Sequence, residues 1–264
     1  MASLKVWSLL LLTAVVGSKN VPSRIAGGDS TSIEYYPSAV QVDMLLAIFW
    51  SQSCSGTILT SRYILSAASC FSGTLFLPRF RRVRAGSSYR NTDGQVVVVE
   101  EVFNNPAFGE NGLDSDISVV RLTEPLIYNP VVQQGTIVAP GSTIPDNTPV
   151  IQIGWGASLD ELASQTLQET TVVTVNRQLC SMNYEELDND NFVITENMIC
   201  AGAPAGGRGA CSGDAGGPLY YDNNGALIVV GIISFQEGCG NATFPSVNTA
   251  VSPFTNWIID TVSQ

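Results

Sequence analysis

Apolar positions in this chain fall in short runs rich in β-branched residues: VQVDML (40–45), TILTSRYIL (57–65), RRVRAG (81–86), QVVVVEEV (95–102), DISVVRL (116–122), PVIQIGW (149–155), ETTVVTV (169–175) and ALIVVGIIS (226–234). Branched side chains suit a pleated, half-buried surface, so runs of this length read as strands. Turn clusters separate them, among them RNTDG (90–94), FNNPAFGENG (103–112) and YDNNG (221–225). Strands at this spacing predict an all-β barrel or sandwich. One helix is predicted, at the carboxyl end. Ser252 stands at its cap and Pro253 in its first turn, with Phe254, Trp257, Ile258, Thr261 and Val262 on one face. No fixed-period repeat, heptad pattern or low-complexity linker interrupts this organisation.

The amino end differs from the rest. MASLKVWSLLLLTAVVGSKN (1–20) has one lysine, an apolar run and then small residues. This is the pattern of a signal peptide, residues 1–17, with cleavage after Gly17; the run is too short to span a bilayer. No later segment approaches transmembrane length, so a secreted product with no membrane association is expected. The chain of 264 residues, 45% of them hydrophobic, is long enough for one large domain or two small ones.

Six cysteines, Cys54, Cys70, Cys180, Cys200, Cys211 and Cys239, all lie beyond the signal. An even count in a secreted chain implies three disulfides, and 15 pairings are possible. Zinc is disfavoured, because there is no histidine and no CxxC pair, and no cofactor is expected. Lys5, Lys19 and Arg24 precede a processing point after Arg24. Removing them from the 12 basic residues leaves nine, all arginine, against 23 acidic ones, a net charge of −14. Such a surface repels nucleic acid and anionic membranes. Arginine keeps its charge where lysine loses it, near pH ~10.4, so the absence of lysine implies an alkaline medium rich in lysine-directed proteases, such as a gut lumen. The acidic stretch EELDNDN (185–191) reads as solvated surface ahead of a calcium loop. The arginine run RFRRVR (79–84) reads as a solvated strand edge ahead of an anion site.

The stretch CSGDAGGPL (211–219) sets glycines on both sides of one small residue, Ala215, in a tight turn of the kind that points backbone amides into open space. GDAGGPL after a cysteine resembles the nucleophile loop of the chymotrypsin-fold serine peptidases, the trypsin-like family. Other blocks follow in the family's order: RIAGG (24–28) is similar to its activation site, LSAASC (65–70) to the block that ordinarily carries the histidine, and DSDISVVRL (114–122) to the block with the buried aspartate. GWG (154–156), the FPSV segment and the terminal helix complete the likeness, which spans Ile25 to Gln264 and is nearest to insect digestive trypsins. It implies two six-stranded antiparallel β-barrels of the chymotrypsin/trypsin fold with a C-terminal helix, the site in the cleft between them and a boundary near residue 140. It also implies an activation peptide over 18–24 and the pairs Cys54–Cys70, Cys180–Cys200 and Cys211–Cys239.

Residue by residue, the resemblance places Asp116 at the retained position of the triad, Ser69 at the histidine position and Ala215 at the nucleophile position. The chain contains no histidine at all, so no other alignment supplies the base. Gly213 and Ala215 carry the amides of the oxyanion hole. In the pocket, Gly209 stands where trypsins have an aspartate, with Ser234, Gln236 and Ser246 on its walls; Gln236 and Ser246 each replace a glycine. Asp116 without an imidazole needs other donors: Ser234 and the amides of 67–69 are expected to serve, with Ser66 and Ser69 also placed to help and water as the alternative. Cutting after Arg24 by a trypsin-like protease would free the amine of Ile25 to pair with Asp214; this switch is retained either by inheritance or as a gate. Asn241-Ala-Thr243 is a glycosylation sequon beside the pocket mouth. The expectation is a secreted, monomeric, catalytically inactive homolog that acts by binding, as a regulatory partner of active relatives or a decoy for protease inhibitors. The alternatives are an enzyme with residual or unconventional hydrolase activity and a passive luminal protein.

Overall fold

The computed structural model describes residues 26–74, 76–157, 163–187, 189 and 192–264. Fourteen strands and two α-helices occur among them. In the first half, β1 (Asp29–Ser30) is followed by β2 (Ala39–Leu46), β3 (Phe49–Ile58), β4 (Tyr63–Ser66), β5 (Arg81–Ala85), β6 (Gln95–Asn104) and β7 (Ser118–Leu122). Strands β2-β3-β4-β7-β6-β5 close on themselves as an antiparallel barrel. In the second half, β8 (Thr136–Ile137) precedes β9 (Pro149–Gly154), β10 (Gln168–Val175), helix α1 (Arg177–Glu185), β11 (Met198–Gly202), β12 (Pro218–Asn223), β13 (Ala226–Phe235), β14 (Ser246–Ala250) and helix α2 (Thr255–Val262). Here the ring runs β9-β10-β11-β14-β13-β12 and returns to β9, with β1 added beside β10 and β8 beside β13. Two closed six-stranded antiparallel barrels result. Closure removes the unpaired edges that an open sheet would leave.

Burial alternates along β10 but is continuous in β2, where Gln41 and Asp43 are buried as well as Val40 and Val42. Val40 and Val42 of β2, Val83 of β5, Val119 of β7 and Ile153 of β9 are all buried, and the two barrels share one continuous apolar core. Contact between barrels is partly polar: Ser38 and the Tyr220 hydroxyl share a buried hydrogen bond of 2.9 Å, and the Tyr36 and Tyr220 rings stack at 5.7 Å. Disulfides join Cys54–Cys70, Cys180–Cys200 and Cys211–Cys239. Each closes a loop of 16 to 28 residues, which limits the freedom of the unfolded chain by roughly 2–4 kcal/mol.

Several local readings change. TILTSRYIL is the end of β3, a turn and all of β4 but its last residue; its Leu59 and Thr60 amides both donate to the Tyr63 carbonyl. Helix α1 was not predicted. Its cap, Asn176, accepts from the amides of Gln178 and Leu179 and so satisfies the exposed donors of the first turn. At the carboxyl end Ser252 makes no capping bond; a 3-10 turn over Ser252–Phe254 leads into α2 instead. The helix is anchored by the buried Phe254 and Ile258 and by Thr255 Oγ, which donates to the Val138 carbonyl at 2.9 Å. The arginine run is not a solvated edge, because β5 lies between β2 and β6. Arg82 Nε and Arg84 Nη2 lie 2.9 and 3.4 Å from Asp43, whose side chain is fully buried. Positions 188, 190 and 191 of the acidic stretch lie outside the described residues.

Candidate functional site

The turn around Ala215 is held from both barrels. From the first, the Ser55 amide on β3 donates to the Ala215 carbonyl (2.8 Å), and Gln52 Nε2 donates to the Gly213 carbonyl (2.7 Å). From the second, the Gly216 amide donates to Ile233 (2.7 Å), and the Ile233 amide donates to Gly217 (2.8 Å). Gly213 and Gly216 adopt φ of +96° and +82°, a region that side chains with a Cβ seldom enter. A Cβ on Gly216 would also run into Ser66 Oγ and the Ser55 carbonyl. Glycine is therefore required here by backbone geometry and by the closeness of β3. Within the turn the amides of Asp214, Gly216 and Gly217 are spent on carbonyls, whereas those of Gly213 and Ala215 meet no acceptor among the described residues.

Asp116 precedes β7 and is wholly buried beside this turn. Its Oδ1 accepts from the Ser69 amide at 2.7 Å. Its Oδ2 accepts from Ser69 Oγ at 2.9 Å and from Ser234 Oγ at 2.6 Å. Burial pushes the Asp116 carboxyl above its ordinary range, while the bonds from Ser234, Ser69 and the Ala68 amide pull it back. Ser234 and the backbone near Ser69 thus act as expected, and Ser69 adds its own hydroxyl. Ser66 does not take part: its Oγ donates to the Ser55 carbonyl at 2.7 Å, a bond across β3 and β4 that turns it away. Ser69 is solvent-exposed, sitting at the end of a strand-to-turn junction closed by the Cys54–Cys70 bridge.

Asp214 is also fully buried. Gly156 and Cys211 donate their amides to its two oxygens at 2.8 and 2.9 Å. Gly154 and Gly156 leave room for the carboxylate, since a Cβ on either would meet its Oδ1. Desolvation raises its pKa to about 7 against the pull of these two bonds. Ile25 and Arg24 lie outside the described residues. The adjacent Ala26 is buried and its carbonyl accepts from the Gly209 amide at 3.1 Å, an isolated antiparallel bridge that ties Ala26 to the segment before Cys211.

Of the positions expected to line a pocket, Gly209 and Ser246 are buried, and Ser234 and Gln236 are half-buried. The wall residue Phe235 is fixed by Tyr184 and Phe192, with ring centroids 5.7 and 5.3 Å away. Two residues not singled out from the sequence prove structural here: Gln52, which holds the Gly213 carbonyl, and Gln152, whose Oε1 accepts from the Ala210 amide at 2.9 Å. A signal for Gln152 existed, as a lone polar residue within the apolar strand VIQIG. Asn241 folds its side-chain oxygen back onto the amides of Thr243 and Phe244. Among the described residues no group of histidine, cysteine or acidic side chains is placed to hold a metal ion.

Residues 25–258 match the family model described as Trypsin. The chain belongs to the trypsin family. It is similar to Trypsin, alkaline A of Manduca sexta (38% identity over 254 residues, 93% of each chain). It is also similar to Trypsin CFT-1 of Choristoneura fumiferana (36% over 252 residues, 94% of this chain and 95% of that one). Vitellin-degrading protease of Bombyx mori is 32% identical over 242 residues, 91% of this chain and 86% of that one. Membership explains why a turn bonded to both barrels comes with this buried aspartate and these bridges. Three disulfides fit an extracellular protein, and no helix among the described residues is long and apolar enough to cross a membrane.

Proposed function

We propose that this trypsin-family protein is a secreted, catalytically inactive homolog that works by binding polypeptide partners in or around its cleft. The observation that carries the reading is the pair of substitutions around Asp116. Peptide hydrolysis in this family needs a hydroxyl nucleophile and a base to take its proton. Ala215 offers a methyl group, and the chain has no histidine. The hydroxyl nearest to the imidazole's place, Ser69 Oγ, donates its proton to Asp116 at 2.9 Å. A serine needs an activating base, and no lysine follows Arg24 to make a Ser–Lys pair. Family members stripped of the triad keep roughly 10³–10⁴ over the uncatalysed rate, far below the 10⁶-fold and more of working enzymes.

What remains supports binding. The turn is held from both barrels, and its Gly213 and Ala215 amides meet no acceptor among the described residues, which leaves two donors for a bound partner. Ser69 and Ala215 are read as vacated triad positions, Gly213 and Ala215 as the former oxyanion hole, and Asp214 as the acceptor for Ile25 once a trypsin-like protease cuts after Arg24. A regulatory partner or an inhibitor is the class of ligand, and an extracellular, alkaline gut lumen is the setting. The experiment is turnover and labelling by purified protein cut after Arg24. No hydrolysis of peptide or ester substrates and no adduct with a fluorophosphonate are expected. Ser69→His/Ala215→Ser serves as the positive control for cleft integrity. Sustained turnover by the natural chain, abolished by Asp116→Asn, would establish the unconventional-hydrolase alternative instead.

A further inference from the structure

The apolar residues of β2 and β3 continue past the barrel to the tip of the hairpin that joins them. Leu46, Ile48 and Phe49 are 51%, 78% and 72% exposed there, with Ala47 exposed between them. Isolated apolar side chains are ordinary on a surface, but four in succession on one tip are not. The turn itself works against them. Leu46 pairs with Phe49, so Ala47 and Ile48 make a two-residue turn, and Ala47 holds φ +55° where glycine or asparagine is the usual residue. A polar Asn-Gly pair would close this turn with less strain and better solubility. Neither folding nor solubility therefore accounts for the apolar tip.

Beside the tip lies the arginine run. Met44 of β2 pairs with Arg81 of β5, and β2 then runs on to its end at Leu46. Three guanidinium groups here each lie over an aromatic ring: Arg82 over Trp50 at 4.5 Å, Arg79 over Phe80 at 5.0 Å and Arg81 over Phe76 at 5.4 Å. Stacking orders these long side chains in advance and lowers the entropy cost of binding through them. Asp43 engages Arg82, but among the described residues no carboxylate pairs with Arg79 or Arg81. Glu100 and Glu101 on β6 are both taken by Arg121. Unspent positive charge thus sits next to exposed apolar side chains in a chain with 23 acidic residues.

We infer that the β2–β3 hairpin tip, with Arg79, Arg81 and Arg82, docks an acidic polypeptide segment bearing a large apolar side chain. The segment's carboxylates meet the arginines, and its apolar group covers Ile48 and Phe49. An anionic bilayer presents charge to a whole face of the molecule, so the acidic remainder opposes it. A short segment feels only the charges within a Debye length of ~8 Å. The inference rests on the reading that the protein binds polypeptides, and it places a contact outside the turn at Ala215. Arg81 Nε donates to the Cys70 carbonyl at 3.2 Å, which sets the arginines beside the bridge next to Ser69.

The test is fluorescence anisotropy at pH 8 with the full protein cut after Arg24. The probe is a fluorescein-labelled octapeptide carrying four glutamates around a Leu-Trp pair. Two controls replace the glutamates by glutamine or the Leu-Trp pair by serine. Saturable binding of the probe is expected, with both controls weaker by roughly 10-fold or more. Arg79→Glu and Ile48→Ser/Phe49→Ser change only exposed positions and should each weaken the probe by a similar factor. Raising salt to about 0.5 M should weaken binding to the natural protein more than to Arg79→Glu. No saturable binding overturns the inference, as does a glutamine control as tight as the probe, or folded variants that bind normally. Vesicles of phosphatidylcholine and phosphatidylglycerol form the lipid arm: if they bind and the probe does not, the surface is a lipid site and the inference fails. Self-association abolished by the same variants assigns the surface to a second copy and overturns it too. Turnover and covalent labelling judge the inactive-homolog reading separately, so it stands or falls independently of the peptide result.

Discussion

Removing the Ser234 hydroxyl probes the surroundings of Asp116 most directly. Ser234→Ala deletes the 2.6 Å bond to Asp116 Oδ2 and leaves the carboxylate to the Ser69 amide and hydroxyl. Asp116 has no solvent exposure, so water does not replace the lost donor without rearrangement. A hydrogen bond to a charged group contributes about 1.5–3 kcal/mol. For a domain of this size each kcal/mol moves Tm by about 2–4 °C, so a fall of roughly 3–12 °C at pH 8 is expected. The sign of the pH dependence follows from the raised pKa of Asp116. Its folded-state pKa lies above the unfolded one, so the folded state favours the protonated acid, and stability is lost as pH rises between the two. Ser234→Ala raises the folded-state value further. Its penalty is therefore full where Asp116 is ionised and shrinks toward pH 4. The assay is thermal unfolding of the natural protein, Ser234→Ala, Asp116→Asn and the double variant at pH 4 and pH 8. A coupling of about 1–2 kcal/mol at pH 8 is expected. An identical Ser234→Ala penalty at both pH values, or one undiminished in the Asp116→Asn background, would refute the reasoning.

Other expectations follow from the same structure. Raising the Asp214 carboxyl from 3.8 to about 7 withdraws roughly 4 kcal/mol from uncut protein as pH climbs through that interval; Asp214→Asn should lack this decline in Tm-against-pH curves, and cutting after Arg24 should abolish it in the natural chain if Ile25 supplies the amine. Asp43→Ala leaves the buried Arg84 and its neighbour Arg82 without their counter-ion, at about 3–5 kcal/mol by chemical denaturation; a change under 1 kcal/mol would show that the pair is solvated in solution. Gly216→Ala puts a Cβ at φ +82° against Ser66 and Ser55, and should cost roughly 2–5 kcal/mol or prevent folding. Asn241 should carry a glycan on protein secreted from eukaryotic cells, read as a mass shift removed by an amidase; an unmodified peptide counts against any role for a sugar at the pocket mouth.

The strands were legible in the sequence because β-branched composition is a local signal. Runs such as QVVVVEEV and ALIVVGIIS declare strands without knowledge of their partners, and the ordered motifs from RIAGG to GDAGGPL name the topology that joins them. Absence of histidine was legible for a stronger reason: it is a property of composition and holds in every conformation. Other strands and the helix at Arg177–Glu185 escaped notice, since its cap residue Asn176 reads equally well as a turn.

The tertiary structure decided which of the remote candidates pair. The family likeness anticipated the bond from Ser234 to Asp116, 118 positions away, but only the packed barrels show that Ser66, offered beside it, turns away to Ser55. Closure likewise buried Arg84 and paired it and Arg82 with Asp43, because β5 is flanked on both sides, while Arg79, ahead of the strand, stays exposed. Gln152 is the sharpest case. Among apolar neighbours it looks like an interruption, yet burial forces its amide to find Ala210, Ser246 and Asn248, which ties β9 to β14 and to the segment before Cys211. Periodicity is a property of neighbouring residues, whereas satisfaction of a buried polar group is a property of the whole packed molecule.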